Sequence, residues 1–122
     1  MIRSRTILVA LMILFACGEK IRHGKEIALI HDLAEMRKAI RDYRQDKGRP
    51  PATLDELVRA RYLRVIPNDP LTGKPDWRVV VEQPVRVDEF STRAQPVREG
   101  GVVDVRSNAP GTDSNGKAWS EY

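Results

Sequence analysis

The longest apolar run in the chain lies near its N-terminus, at residues 7–17. Arg3 and Arg5 precede this run, and Gly18 and Glu19 return the chain to polar character. A basic start followed by a short apolar run is typical of a secretory signal. As a helix the run would rise about 16 Å, whereas the hydrocarbon core of a bilayer is about 30 Å thick. The pattern therefore predicts export, by a segment too short to span a membrane alone.

Apolar residues at steps of four and three predict an amphipathic helix over residues 21–47. When successive residues are placed 100° apart, five of them fall in an arc of about 80°. We name this face the docking stripe, and it consists of Leu29, Leu33, Met36, Ile40 and Tyr43. Lys38 and Asp42 are spaced for an ion pair on the outer side. We expect the docking stripe to pack against the rest of the domain.

Three further apolar residues, Ile27, Ile30 and Ala34, lie on the same predicted helix outside the docking stripe. They begin about 60° beyond the stripe, so the first turns are apolar on more than one side. Two interpretations are open: these residues contact other copies of the chain in an assembly, or a loop rests on them. They are the candidate self-assembly residues.

The remainder of the chain predicts a short helix and a small sheet. Residues 48–51 combine a C-cap glycine with two prolines and end the long helix. Residues 53–56 have the form of a capping box and begin another helix. Strands are predicted at residues 77–81, 85–87 and 102–105, after a stretch rich in turn-forming residues. The predicted fold is α+β, with a long N-terminal helix packed on a small antiparallel sheet.

Length, charge and cysteine content limit the classes of function. The 122 residues allow one small domain. The formal net charge is +4, and it falls to +2 when Arg3 and Arg5 are removed with a signal. This charge is too small to indicate nucleic-acid binding. Cys17 is the only cysteine, which excludes an intrachain disulfide and a metal site built on several thiolates.

Cys17 is the candidate lipidation site. Residues 14–17 read Leu-Phe-Ala-Cys, which resembles the lipobox of bacterial lipoproteins, where a small residue precedes the acylated cysteine. This interpretation divides the chain into a signal at 1–16, an anchor-proximal segment at 17–28 and a globular domain at 29–122. The alternative is that Cys17 is a small apolar residue of a membrane helix.

Several motifs follow one another from the end of the long helix to the C-terminus. They are Tyr43 with Gly48-Arg49-Pro50-Pro51, then Ile66-Pro67-Asn68-Asp69-Pro70, Thr72-Gly73 and Trp77, and finally residues 104–111 and 115–122. This succession resembles the major pseudopilins of bacterial type II secretion, the general secretion pathway protein G family, over residues 29–122. The resemblance implies a pilin-like fold with an ordered C-terminal loop. It also implies a structural role in a type II secretion or related type IV pilus-like apparatus.

The location implied by the resemblance is the periplasmic face of the bacterial envelope, with a membrane anchor at the N-terminus. The implied partners are other pseudopilins, secretion components or further copies of the chain. The family's N-terminal processing motif is not found, because Gly18 is followed by Glu19 and Lys20 and comes after the apolar run. This departure favours the lipoprotein interpretation. The alternative function is a lipid-anchored periplasmic binding module that contacts secretion partners without polymerising.

The resemblance also implies a calcium site in the C-terminal loop, with Asp113 and Asn115 as candidate ligands. Oxygen-rich loops suit hard cations. The residues alone favour the alternative, a turn held by Asx-type hydrogen bonds, because Asp113 is the only acid in residues 112–116.

No catalytic group is predicted. His23 and His31 lie on the predicted helix, eight residues apart, and the sequence pattern assigns no carboxylate cluster to either. Ser107 and Ser120 have no histidine base in the pattern. We therefore expect a protein that is not an enzyme.

Overall fold

The computed structural model describes residues 2–84 and 99–122. Within these ranges, side chains are described from Ile21 onward and, nearer the N-terminus, for Ile7, Val9, Ala10, Met12, Ile13 and Lys20. The elements are helices α1 (Ile2–Lys47) and α2 (Leu54–Arg59), strands β1 (Arg78–Glu82) and β2 (Gly101–Arg106), and a short 3-10 helix (Trp119–Glu121). This is an α+β arrangement, as predicted. The strand predicted at residues 85–87 lies outside the described residues.

Helix α1 is a single element of 46 residues, longer than the sequence pattern predicted. It continues through Gly18 and Gly24, so the predicted segment boundaries at 16/17 and 28/29 both fall inside it. It ends where Gly48 adopts a positive φ of 72°, the left-handed conformation that favours glycine at a helix C-terminus. Within the described residues, no helix has the length and apolar character needed to cross a membrane.

The docking stripe is buried, as the spacing predicted. Its five side chains are at most 3% exposed, and they contribute to a core shared with Leu57 of α2, Val102 and Val105 of β2, and Trp119. Burying large apolar side chains is the main favourable term in folding. The stripe therefore fixes the C-terminal half of α1 on the rest of the domain.

Helix α2 is attached to the end of α1 through Glu56. Thr53 Oγ1 accepts a hydrogen bond from the Glu56 backbone N–H at 3.3 Å. This is one of the two reciprocal hydrogen bonds of the predicted capping box. The Glu56 carboxylate accepts the N–H of Ala52 at 2.6 Å, instead of that of Thr53. It also accepts hydrogen bonds from the Tyr43 hydroxyl at 2.5 Å and from Arg49 at 2.9 Å.

Strands β1 and β2 form a two-stranded antiparallel sheet. Arg78 pairs with Arg106 and Glu82 with Gly101, and the register shifts between Val80 and Val81. All of β1 is exposed, whereas β2 faces the core. Arg37 of α1 donates to Asp104 Oδ1 at 2.7 Å and to the carbonyl of Val105 at 2.9 Å. The helix therefore contacts β2 through both apolar packing and a half-buried ion pair.

Candidate functional site

The side of α1 that faces away from the docking stripe is the first candidate site. The predicted self-assembly residues lie there: Ile27 is 57% exposed, Ile30 is 49% exposed, and Ala34 is also exposed. Large apolar side chains exposed as a group mark contact surfaces more often than scattered ones do. No described part of the chain covers these three residues, so the described loops do not provide the alternative contact.

The exposed apolar residues of α1 continue toward its N-terminus on the same side. When successive residues of the helix are placed 100° apart, six of these apolar residues fall in an arc of about 100°. The centre of this arc lies about 150° from the middle of the docking stripe. We name them the outer apolar band, and they are Val9, Met12, Ile13, Ile27, Ile30 and Ala34. Lys20 and His23 separate the two parts of the band, while Ile7 and Ile21 are exposed on other sides. One uninterrupted helix thus has a buried apolar face and an exposed one.

Cys17, the predicted lipidation site, belongs to α1, and its side chain lies outside the described atoms. The backbone position places it between the two parts of the outer apolar band along the chain. Its acylation stays a prediction.

The C-terminal loop is organised around Asp113, which is only 4% exposed. One of its oxygens accepts the backbone N–H groups of Asn115 and Lys117, each at 2.8 Å, and the other accepts the Tyr122 hydroxyl at 2.5 Å. The hydrogen bond from Tyr122 is the main cause that holds the pKa of Asp113 below its usual range. This is the Asx-type turn that was the alternative to calcium.

In this arrangement the carboxylate of Asp113 is used by the turn, and the calcium site stays a prediction. Calcium takes six to eight oxygen ligands, usually with several carboxylates. Both oxygens of Asp113 already accept hydrogen bonds from the protein, and Asn115 contributes a backbone donor to Asp113. The carboxylate of Asp113 is therefore satisfied by donors of the loop itself.

Tyr122 makes contacts within this loop, and Arg22 joins the loop to α1. The Asp113 carboxylate, as the largest cause, raises the pKa of Tyr122 to about 12. The Lys117 ammonium lies 3.9 Å from the centre of the Tyr122 ring, close enough for a cation–π interaction. Arg22 of α1 donates to the carbonyl of Thr112 at 3.1 Å. The loop is thus ordered by its own side chains and by α1.

A cluster that the sequence pattern did not reveal lies on α1 at His31, Asp32 and Glu35, and we name it the His31 cluster. One nitrogen of His31 and one carboxylate oxygen from each acid lie within 4.8 Å of one another. The sequence interpretation, which assigned no carboxylate cluster to either histidine, was wrong for His31. The spacing in the sequence could have indicated this cluster, because Glu35 follows His31 by four residues and so lies one helical turn further on.

A groove runs between α1 and the chain that follows α2. Its volume is about 680 Å³, and it is lined by Glu35, Lys38, Ala39 and Asp42 of α1 and by Tyr62, Leu63, Arg64, Val65 and Pro67. Val65 is 68% exposed at this groove. The lining mixes both signs of charge with apolar side chains.

Comparison of the chain with models of protein families, with curated proteins and with solved structures found no significant match.

Proposed function

We propose that this protein is a pseudopilin-like structural subunit of a type II secretion or related type IV pilus-like apparatus, anchored at the periplasmic face of the bacterial envelope. The observation that carries the proposal is the outer apolar band on a helix whose opposite face is already buried. A lone copy exposes Ile27 and Ile30 to solvent at 57% and 49%. Packing α1 against α1 of neighbouring copies would remove this apolar surface from water, which is favourable.

Contacts between the motifs that resemble the pseudopilins also support the proposal. Ser107, in the motif at 104–111, donates to Asp69 of the motif at 66–70 at 2.6 Å, and both residues are fully buried. The Trp77 indole N–H donates to the carbonyl of Pro67 at 2.7 Å. Two hydrogen bonds thus join these motifs, one of them across 38 residues of sequence, as expected for members of a shared structural signature.

A second candidate function is the lipid-anchored periplasmic binding module that does not polymerise. It is favoured by the Leu-Phe-Ala-Cys pattern at residues 14–17. Each methylene of an acyl chain that is buried in a membrane contributes about 0.8 kcal/mol to binding. A lipidated Cys17 would therefore hold a small domain on a membrane without help from α1. In that case the segment before Cys17 would be removed.

The intact mass of the protein isolated from envelopes distinguishes these two anchors. A chain that begins at an acylated Cys17 supports the lipid anchor, and Cys17→Ser should abolish incorporation of labelled fatty acid. A chain that retains residues 1–16 without a lipid supports anchoring by the helix and contradicts lipidation.

A gene deletion tests the proposed role in export. We expect proteins normally released to the medium to accumulate in the periplasm of the deletion strain. The wild-type gene should restore release, whereas Ile30→Glu should not, because a charge would replace part of the outer apolar band. Lys74→Glu, an exposed position away from the band, is the matched control and should restore release. Unchanged release in the deletion strain would contradict the proposal.

A further inference from the structure

We propose that the His31 cluster binds a divalent transition-metal ion such as Zn²⁺ through the imidazole of His31 and the carboxylates of Asp32 and Glu35. This proposal is independent of the proposed role in secretion. It rests on the ligand types, their spacing, the local charge and access from solvent.

The spacing of the three groups suits one ion. Zinc binds imidazole nitrogen and carboxylate oxygen at about 2.0 to 2.2 Å, so two ligands of one ion lie about 3 to 4 Å apart. His31 Nδ1 is 3.8 Å from Asp32 Oδ1, and all three ligand atoms are within 4.8 Å. Because the His31 side chain is 67% exposed, a small rotation can complete the approach without disturbing the core.

The local charge favours a cation. Among the described residues, His31 is the only basic group within 4.0 Å of either Asp32 or Glu35. The nearby Lys38 lies on the next turn and pairs with Asp42 at 2.5 Å. A divalent ion would balance two carboxylates that have no other such partner.

The environment of Asp32 points in the same direction. Its side chain is 22% exposed. A carboxylate in such a place gains from a bound cation more than a fully solvated one does.

Ligand chemistry and access define the class of metal. A nitrogen ligand suits zinc and its neighbours among the transition metals, whereas calcium and magnesium prefer oxygen alone. Glu35 also lines the groove between α1 and residues 62–67, so the ion is reached from solvent. Three protein ligands leave coordination positions open to water.

Calorimetric titration with ZnCl₂ at neutral pH tests the site on the full chain in mild detergent. The chain carries Cys17→Ser, because a free thiol also binds zinc. We expect saturation at one Zn²⁺ per chain, and at least tenfold weaker binding in His31→Gln and in Glu35→Gln. His23→Gln is the matched control, because His23 also lies 3.8 Å from a carboxylate, that of Glu26, outside the cluster.

The control should bind zinc as tightly as the parent chain, and CaCl₂ should give no saturation over the same concentrations. The absence of saturable zinc binding would overturn the proposal. So would unchanged affinity in His31→Gln, or an equal loss in His23→Gln. Circular dichroism of each variant checks that it is folded, since both histidines are exposed and their replacement should leave the helix signal unchanged.

Discussion

Glu56 shows how one carboxylate joins two elements. It accepts hydrogen bonds from Arg49, from the Tyr43 hydroxyl and from the Ala52 N–H, and in that order of importance these lower its pKa from 4.5 to about 2. A pKa that is lower in the folded state than in the unfolded state means that ionised Glu56 stabilises the fold. This contribution is complete above about pH 4.5 and is lost as the pH falls through about 2.

Glu56→Gln should therefore lower the free energy of unfolding at pH 7, because it weakens hydrogen bonds to a charged group. We expect a loss of about 1 to 2 kcal/mol, since solvent partly screens a side chain that is 21% exposed. The difference from wild type should shrink as the pH is lowered from 4.5 to 2. Urea unfolding at several pH values measures it. Asp55→Asn, an exposed acid on the same turn, should change little. Parallel pH profiles for wild type and Glu56→Gln would contradict the assignment.

Ser107 makes a second contact that joins distant parts of the chain. It donates to Asp69 and accepts the N–H of Ala109, inside a fully buried site. Ser107→Ala leaves one oxygen of Asp69 without this donor, so we expect a loss of about 1 to 3 kcal/mol in unfolding free energy. Ser114→Ala, on an exposed turn, should be nearly neutral. Equal stability of the two variants in chemical denaturation would show that the buried pair contributes nothing.

Helix α1 has two apolar faces with different expected roles. Leu33, in the docking stripe, is 2% exposed, whereas Ile30 is 49% exposed. Leu33→Ala removes packed atoms from the core and should cost about 2 to 5 kcal/mol. Ile30→Ala should change the stability of a separate copy by no more than about 0.5 kcal/mol. Thermal unfolding in dilute detergent compares them, and similar losses would mean that Ile30 is packed within one copy.

The helical pattern could be predicted from sequence because it depends on spacing alone. The docking stripe and strands β1 and β2 were found in this way, each strand within one residue of its position. Helix α1 extends further toward the N-terminus than the predicted 21–47, through the residues that the sequence predicts as a signal, and the removal of that signal stays a prediction. The observed helix supplies what the sequence pattern lacked, a single face that carries both halves of the outer apolar band.

Several side-chain contacts could not be predicted from the spacing of residues along the sequence. Glu56 reaches Ala52, instead of Thr53, because Tyr43 and Arg49 also hold its carboxylate. Ser107 and Asp69 are 38 residues apart in sequence. The His31 cluster is a local exception: its spacing was visible in the sequence, but only the geometry brings the half-buried Asp32 into it.

At the scale of the whole molecule, the domain buries one face of a long helix and leaves apolar residues exposed on the opposite face. The docking stripe leaves the outer apolar band free along α1. Association through this band would be strongest where copies share one membrane, because anchoring raises their local concentration. A role in a filament therefore requires that copies meet at Ile27 and Ile30 in the envelope.

Crosslinking in intact envelopes tests this requirement most directly. Ile30→Cys is treated with a reagent that joins a thiol to an amine, so that products larger than dimers can form. Wild type, with Cys17 alone, and Lys74→Cys, at an exposed position outside the band, are the controls. We predict a ladder of homo-oligomers for Ile30→Cys that neither control gives. Monomer alone, or the same products as in the controls, would contradict assembly through the outer apolar band.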